Sequence, residues 1–172
     1  MKTVVIIIFS LLAISLSSRS QENDNWLVKK IKGADSVLLT SHTATAGVRI
    51  IDDSTGQDLP LPKLTTAGRP NYNIVKEQRL ITGLQLDTLI KILDRPFEDR
   101  TVEMGKCYIP HHAIFLIKNG KTSYIDICFG CRGYDTSNDL SKLYAFDRRK
   151  WIELEDFFRR LGIDYELPLQ SE

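Results

Sequence analysis

Two stretches of this chain space their apolar residues as a helix does, and one keeps them unbroken at strand length. Leu86, Leu89, Ile90 and Leu93 fall at i, i+3, i+4 and i+7, which predicts a helix over about 83–94. Thr82, followed three residues later by Gln85, predicts a capping box at its start, and Pro96 closes it. Trp151, Leu154, Phe158 and Leu161 line one face of a second helix, about 148–161. Asp147 can cap that helix, and Gly162 stands where a left-handed C-cap belongs, with Ile163 behind it. Between the helices, the apolar runs 109–117 and 122–129 flank Lys118-Asn119-Gly120-Lys121. Asn-Gly there predicts a hairpin, because a type I′ turn needs positive φ at both central residues. Both runs are apolar on both faces, so the hairpin (about 109–129) is expected at the centre of a sheet, covered by the two helices.

Weaker patterns fill in the rest. Residues 36–41 and 48–51 read as strands from their β-branched content, and 74–81 as another. Residues 26–31 read as a short helix and 163–167 as an edge strand. Pro60, Pro62, Pro70, Gly56 and Gly68 make 52–70 a surface loop. The fold class is α+β: a single domain over 21–172 built on an antiparallel sheet with a central hairpin.

The N-terminus has a different pattern. Lys2 precedes an apolar run from Val4 to Leu16 broken only by Ser10 and Ser15, and Ser18-Arg19-Ser20 puts small residues at −3 and −1. That is the layout of an export signal at 1–20, cleaved after Ser20. The run is too short for an easy membrane span of about 20 residues, so cleavage is expected over anchoring. No cysteine precedes Cys107, so there is none to acylate near the signal. The expected location is periplasmic or secreted, and the lack of an Asn-x-Ser/Thr acceptor favours a bacterial source.

Charge then removes some partners. Residues 1–20 hold two of the 23 basic residues and none of the 22 acidic ones, which leaves the remainder at a formal −1. A near-neutral domain has no electrostatic footprint for nucleic acid or for an anionic membrane surface. With 42% apolar and 26% charged residues, the chain is neither disordered nor a multi-span membrane protein. No phosphate-cradling glycine loop or Gly-x-Ser-x-Gly elbow occurs. Trp26 and Trp151 read as packing residues, and His42, alone in a polar Thr/Ser stretch, as exposed.

Candidate chemistry gathers at the open end of the hairpin. If Asn119-Gly120 is a two-residue turn, His111 faces Cys128, with Asp126 diagonal to it. If a three-residue loop with a bulge forms instead, Cys107 faces Cys131 and His112 faces Asp126. Either register gathers Cys107, one histidine, Cys128 and Cys131. One reading is a metal site of Cys107, His112, Cys128 and Cys131, with His111 as the alternative histidine, binding zinc or copper. A second is a disulfide plus one leftover cysteine, since three is odd and exported chains rarely keep every thiol free; Cys107–Cys131 fits the bulged register. A third is thiol chemistry at Cys128-Phe129-Gly130-Cys131, a thiol-dependent enzyme using Cys128 or Cys131, with His112 and Asp126 as supporting candidates. Redox enzymes place that motif at a helix start, whereas Arg132-Gly133-Tyr134-Asp135 reads as a turn. His112, inside an apolar strand, is expected to need a buried partner, and Asp126 is the one in the bulged register.

Cys107-Tyr108-Ile109-Pro110-His111-His112-Ala113-Ile114, then Ile127-Cys128-Phe129-Gly130-Cys131, resembles a segment of uncharacterised exported bacterial proteins. Their pattern is Cys-Tyr-x-Pro-Arg-His-Ala-Ile, a hairpin, then Ile-Cys-Phe-x-Cys. A closing Phe-Phe-x-x-Leu-Gly-Ile-x-Tyr resembles Phe157 to Tyr165. This chain has His111 where the pattern has Arg, so the resemblance implies His112 as the site histidine and favours the bulged register. It implies an architecture and a site, and no reaction.

Overall fold

A computed structural model of the chain describes residues 26–97, 105 and 107–169. The signal expected at 1–20 lies outside the described residues. In chain order the elements are helix α1 (Trp26–Lys32), strands β1 (Ser36–His42), β2 (Ile50–Ile51), β3 (Asp58–Leu59), β4 (Thr65–Thr66), β5 (Arg69–Pro70) and β6 (Val75–Ile81), and helix α2 (Gly83–Asp94). Strands β7 (His112–Lys118), β8 (Lys121–Cys128) and β9 (Gly133–Thr136), a 3-10 turn (Asn138–Leu140) and helix α3 (Arg148–Arg160) follow. This is an α+β single-domain arrangement. Its main sheet has five antiparallel strands in the order β6-β1-β7-β8-β9, so the predicted hairpin supplies the central strand.

The turn settles the register. Asn119 and Gly120 both take positive φ, at 50° and 72°, and Lys118 pairs with Lys121. This is the two-residue turn, so the bulged register that the resemblance favoured is corrected. His112 stands opposite Ile127, and Ala113 stands opposite Asp126. Alternation along the strands then places His112 and Asp126 on opposite faces of the sheet.

The two faces are covered differently. Val37, Leu39, Ile114, Leu116, Ile125 and Ile127 pack with residues of all three helices in one core. Leu38, Ala113 and Phe115 form a second cluster with Leu64 and Ile74. The helices expected over the hairpin therefore cover one face, and the long segment between β1 and β6 covers the other. The region expected to be a plain loop carries β3, which pairs with β2 from the strand expected at 48–51, and the short β4–β5 ladder.

Helix ends follow local chemistry. Asp147 accepts a hydrogen bond from the Lys150 backbone N–H at 2.7 Å, which caps α3. At its far end Gly162, at φ 69°, donates to Arg159 O and Ile163 donates to Phe158 O, the paired bonds of a glycine C-cap. The capping box expected at Thr82 does not form: the Thr82 side chain makes no cap bond, and Gln85 N–H meets the Thr82 backbone carbonyl instead. Lys150, buried, donates from Nζ to Leu93 O and Arg95 O, both at 2.9 Å, and so closes the end of α2 onto α3. Burial pushes its ammonium below the ordinary lysine range.

Two further expectations are corrected. Residues 163–167 form turns and not an edge strand, with Ile163 and Leu167 plugged into the core and Glu166 at φ 56°. The edge strand beside β8 is β9, because the turn read at 132–135 closes earlier, over 129–132. Among the described residues no helix is long and apolar enough to cross a membrane.

Candidate functional site

The end of the sheet where β1 and β8 finish and β7 begins collects most of the chain's unusual chemistry. β1 is buried from Val37 through His42, because it has a strand on each side and a core on each face. Its last residue, His42, is fully buried and donates from the backbone to His111 O at 2.8 Å. The ring's Nε2 lies 3.1 Å from Asp126 Oδ1, and its Nδ1 lies 2.9 Å from Thr43 O. Both neighbours are acceptors, so whichever ring nitrogen carries a proton has an oxygen to donate to. Thr45 Oγ1 donates to the second oxygen, Asp126 Oδ2, at 2.9 Å. Tyr108 O–H donates to the Asp126 backbone carbonyl at 3.0 Å. Burial first, then the nearby Asp126 and Asp135 charges, push that phenol well above the ordinary tyrosine range.

The partner of Asp126 is thus His42, where the bulged register had placed His112. The expectation that His42 is exposed is corrected with it. The signal that could have found this pair is the buried-strand context of Thr40-Ser41-His42. Those polar residues follow an apolar strand, and each buried polar side chain must find a partner.

His112 lies on the helix face, 1% exposed, with its ring edge-on to Phe129 and Phe158 at centroid distances of 5.0 and 5.7 Å. Among the described residues neither ring nitrogen has a partner at hydrogen-bonding geometry. Burial, then the charges of His42 and His111, push the imidazole down to about 3, and the Tyr165 backbone opposes this only weakly. His111 makes other contacts: its Nδ1 meets His42 O at 3.1 Å, and its ring meets Tyr165 edge-on.

The cysteines converge. Cys128 and Cys131 are joined as a disulfide across the turn between β8 and β9, and the exposed Cys107 places its sulfur 3.9 Å from the Cys131 sulfur. The expected Cys107–Cys131 bond is therefore replaced by Cys128–Cys131, with Cys107 as the third member. Two contacts hold Cys107 there. Gly105 donates to Cys131 O at 2.8 Å and lies so close that a Cβ would come within 3.1 Å of Cys131 Cα. On the other side Tyr108 is pinned to Asp126 and sits over Gly133. Gly47 completes the packing: a Cβ there would meet Tyr108 O at 2.1 Å, and its φ is 72°, which glycine alone adopts freely.

The four residues suggested as metal ligands do not meet as a set. Two of the sulfurs are bonded to each other, and His112 faces the opposite side of the sheet. Among the described residues no group of three or more His, Cys, Asp or Glu side chains stands ready to hold a metal ion. Comparison with protein-family models, with curated proteins and with solved structures gives no match. The class of the protein is therefore set by fold and site alone: a five-stranded α+β domain with a three-cysteine sheet end beside a buried His–Asp pair.

Proposed function

We propose that the protein is exported and works by thiol–disulfide exchange at Cys128–Cys131. The observation that carries this reading is the Cys107 sulfur, exposed and 3.9 Å from the Cys131 sulfur of a buried disulfide. A bond that only staples the chain needs no third sulfur at contact distance, whereas exchange requires one thiolate within reach of a disulfide sulfur. Export is supported by the charged, apolar and small-residue layout of residues 1–20, and it delivers the protein to a compartment where disulfides persist.

The test is to equilibrate the exported product, whose intact mass should begin at Gln21, across dithiothreitol redox buffers without denaturant. Alkylation and mass spectrometry then count thiols. One thiol should be found when oxidised, three when reduced and one again on reoxidation, with near-ultraviolet circular dichroism retained throughout. A bond that opens only when the protein unfolds would reject the reading. With the bond open, three neighbouring sulfurs favour a second reading, a soft-metal site for zinc or Cu(I). Stoichiometric metal retained by the reduced protein through gel filtration would favour that one.

A further inference from the structure

We infer that Cys107 is the thiol through which this disulfide meets the outside, with Cys131 as its internal partner and Cys128 as the sulfur that leaves; the inference rests on the exchange reading above. Accessibility comes first. Cys128 and Cys131 are 4% and 5% exposed, while Cys107 is exposed. A reactant from solvent meets little of either bonded sulfur, whereas exchange needs direct access to one of them. Cys107, though exposed, already lies 3.9 Å from Cys131 Sγ, anchored by Gly105 on one side and Tyr108 on the other. The Cys131 backbone N–H points at Cys128 Sγ from 3.2 Å. It is placed to stabilise negative charge on that sulfur as the bond to it breaks.

The steps balance. Cys107, as thiolate, attacks Cys131 Sγ; the Cys107–Cys131 bond forms, the Cys128–Cys131 bond breaks, and Cys128 leaves as a thiolate that takes a proton from water. No net oxidation has occurred. An outside thiolate then attacks the exposed Cys107 sulfur, forming a mixed disulfide and releasing Cys131 as thiolate. A second outside thiol attacks the outside sulfur of that mixed disulfide and frees Cys107. The sum is two outside thiols oxidised to one disulfide, and one protein disulfide reduced to two thiols. The ligand class is therefore a thiol. Glutathione and a reduced cysteine-containing peptide are the two probes that separate a small thiol from a chain thiol.

Oxidised wild-type, Cys107→Ser and Cys128→Ser proteins are mixed with each probe, quenched in acid, alkylated and mapped by peptide mass, with near-ultraviolet circular dichroism reporting the fold. The first mixed disulfide in wild type should map to Cys107. Cys107→Ser should slow opening of the bond at least about tenfold, and Cys128→Ser should accumulate a Cys107–Cys131 disulfide. The faster probe identifies the kind of thiol served. Mixed disulfides on Cys128 or Cys131, at an undiminished rate in Cys107→Ser, overturn the relay while leaving exchange standing. If Cys107→Ser does not fold, the wild-type map alone decides between Cys107 and the buried pair. Wild type that reacts with neither probe while folded overturns both the relay and the exchange reading.

Discussion

His42 and Asp126 are 84 residues apart in sequence, and each is the other's buried partner. Removing the imidazole takes a hydrogen bond from a carboxylate that is nearly closed to solvent, which costs about 1–3 kcal/mol. His42→Ala should therefore lower stability by about that amount in a urea titration, leaving Thr45 as the side-chain donor to Asp126 among the described residues. The double change His42→Phe with Asp126→Leu should recover much of the loss; an His42→Ala cost below about 1 kcal/mol would mean water reaches the carboxylate. His112 is buried neutral. Its imidazole is pushed from the ordinary 6.5 down to about 3, so below pH 6.5 the unfolded chain takes up a proton that the folded protein refuses. Stability should fall as pH drops through the window from about 6.5 to 3, with a slope of up to about 1.4 kcal/mol per pH unit from this group. In His112→Leu that contribution should vanish, with stability at pH 7 within about 1.5 kcal/mol of wild type, since the change removes a polar ring that has no partner among the described residues. Carboxylates titrate alike in both proteins, so the difference between their stability profiles from pH 7 to pH 4 isolates the ring. Parallel profiles would show that His112 is hydrated.

Elements whose signals are local were legible in the sequence, and those set by distant pairing were not. Asn119-Gly120 could be read because only positive φ at both residues turns β7 into β8, and the same two residues settle the register. Asp147 and Gly162 marked the ends of α3 because each meets backbone groups within four residues. The box at Thr82 failed for a reason equally local: Gly83 takes φ 53°, and the Thr82 side chain makes no cap bond across that bend. β9 was missed because Gly133-Tyr134-Asp135 has turn composition, and only pairing with β8 makes it a strand. His42 was hidden in the same way. Thr and Ser neighbours suggest a surface, and it takes two flanking strands, one from each side of α2, to bury them. The cysteine end was legible as a neighbourhood. Its bonding was not, since a Cys-x-x-Cys can bridge its own turn in either register.

At the scale of the molecule, the question is whether the disulfide holds the fold up. The larger core packs the sheet against three helices and the smaller packs it against the segment carrying Leu64 and Ile74; the bonded cysteines sit at the end of β8 and close a ring around only Phe129 and Gly130. Constraining so short a ring removes little freedom from the unfolded chain, about 2 kcal/mol in the chain-entropy account. The main sheet does not depend on it, because the β8–β9 ladder and the β7–β8 turn are secured by their own backbone bonds. Reduction should therefore leave far- and near-ultraviolet circular dichroism intact and lower the urea midpoint by about 1 M, the equivalent of about 2 kcal/mol at a typical slope. Such a small penalty allows the bond to open and close in a protein that stays folded, as exchange demands. Loss of the fold on reduction, or a penalty above about 5 kcal/mol, would make Cys128–Cys131 a structural staple and leave Cys107 a bystander.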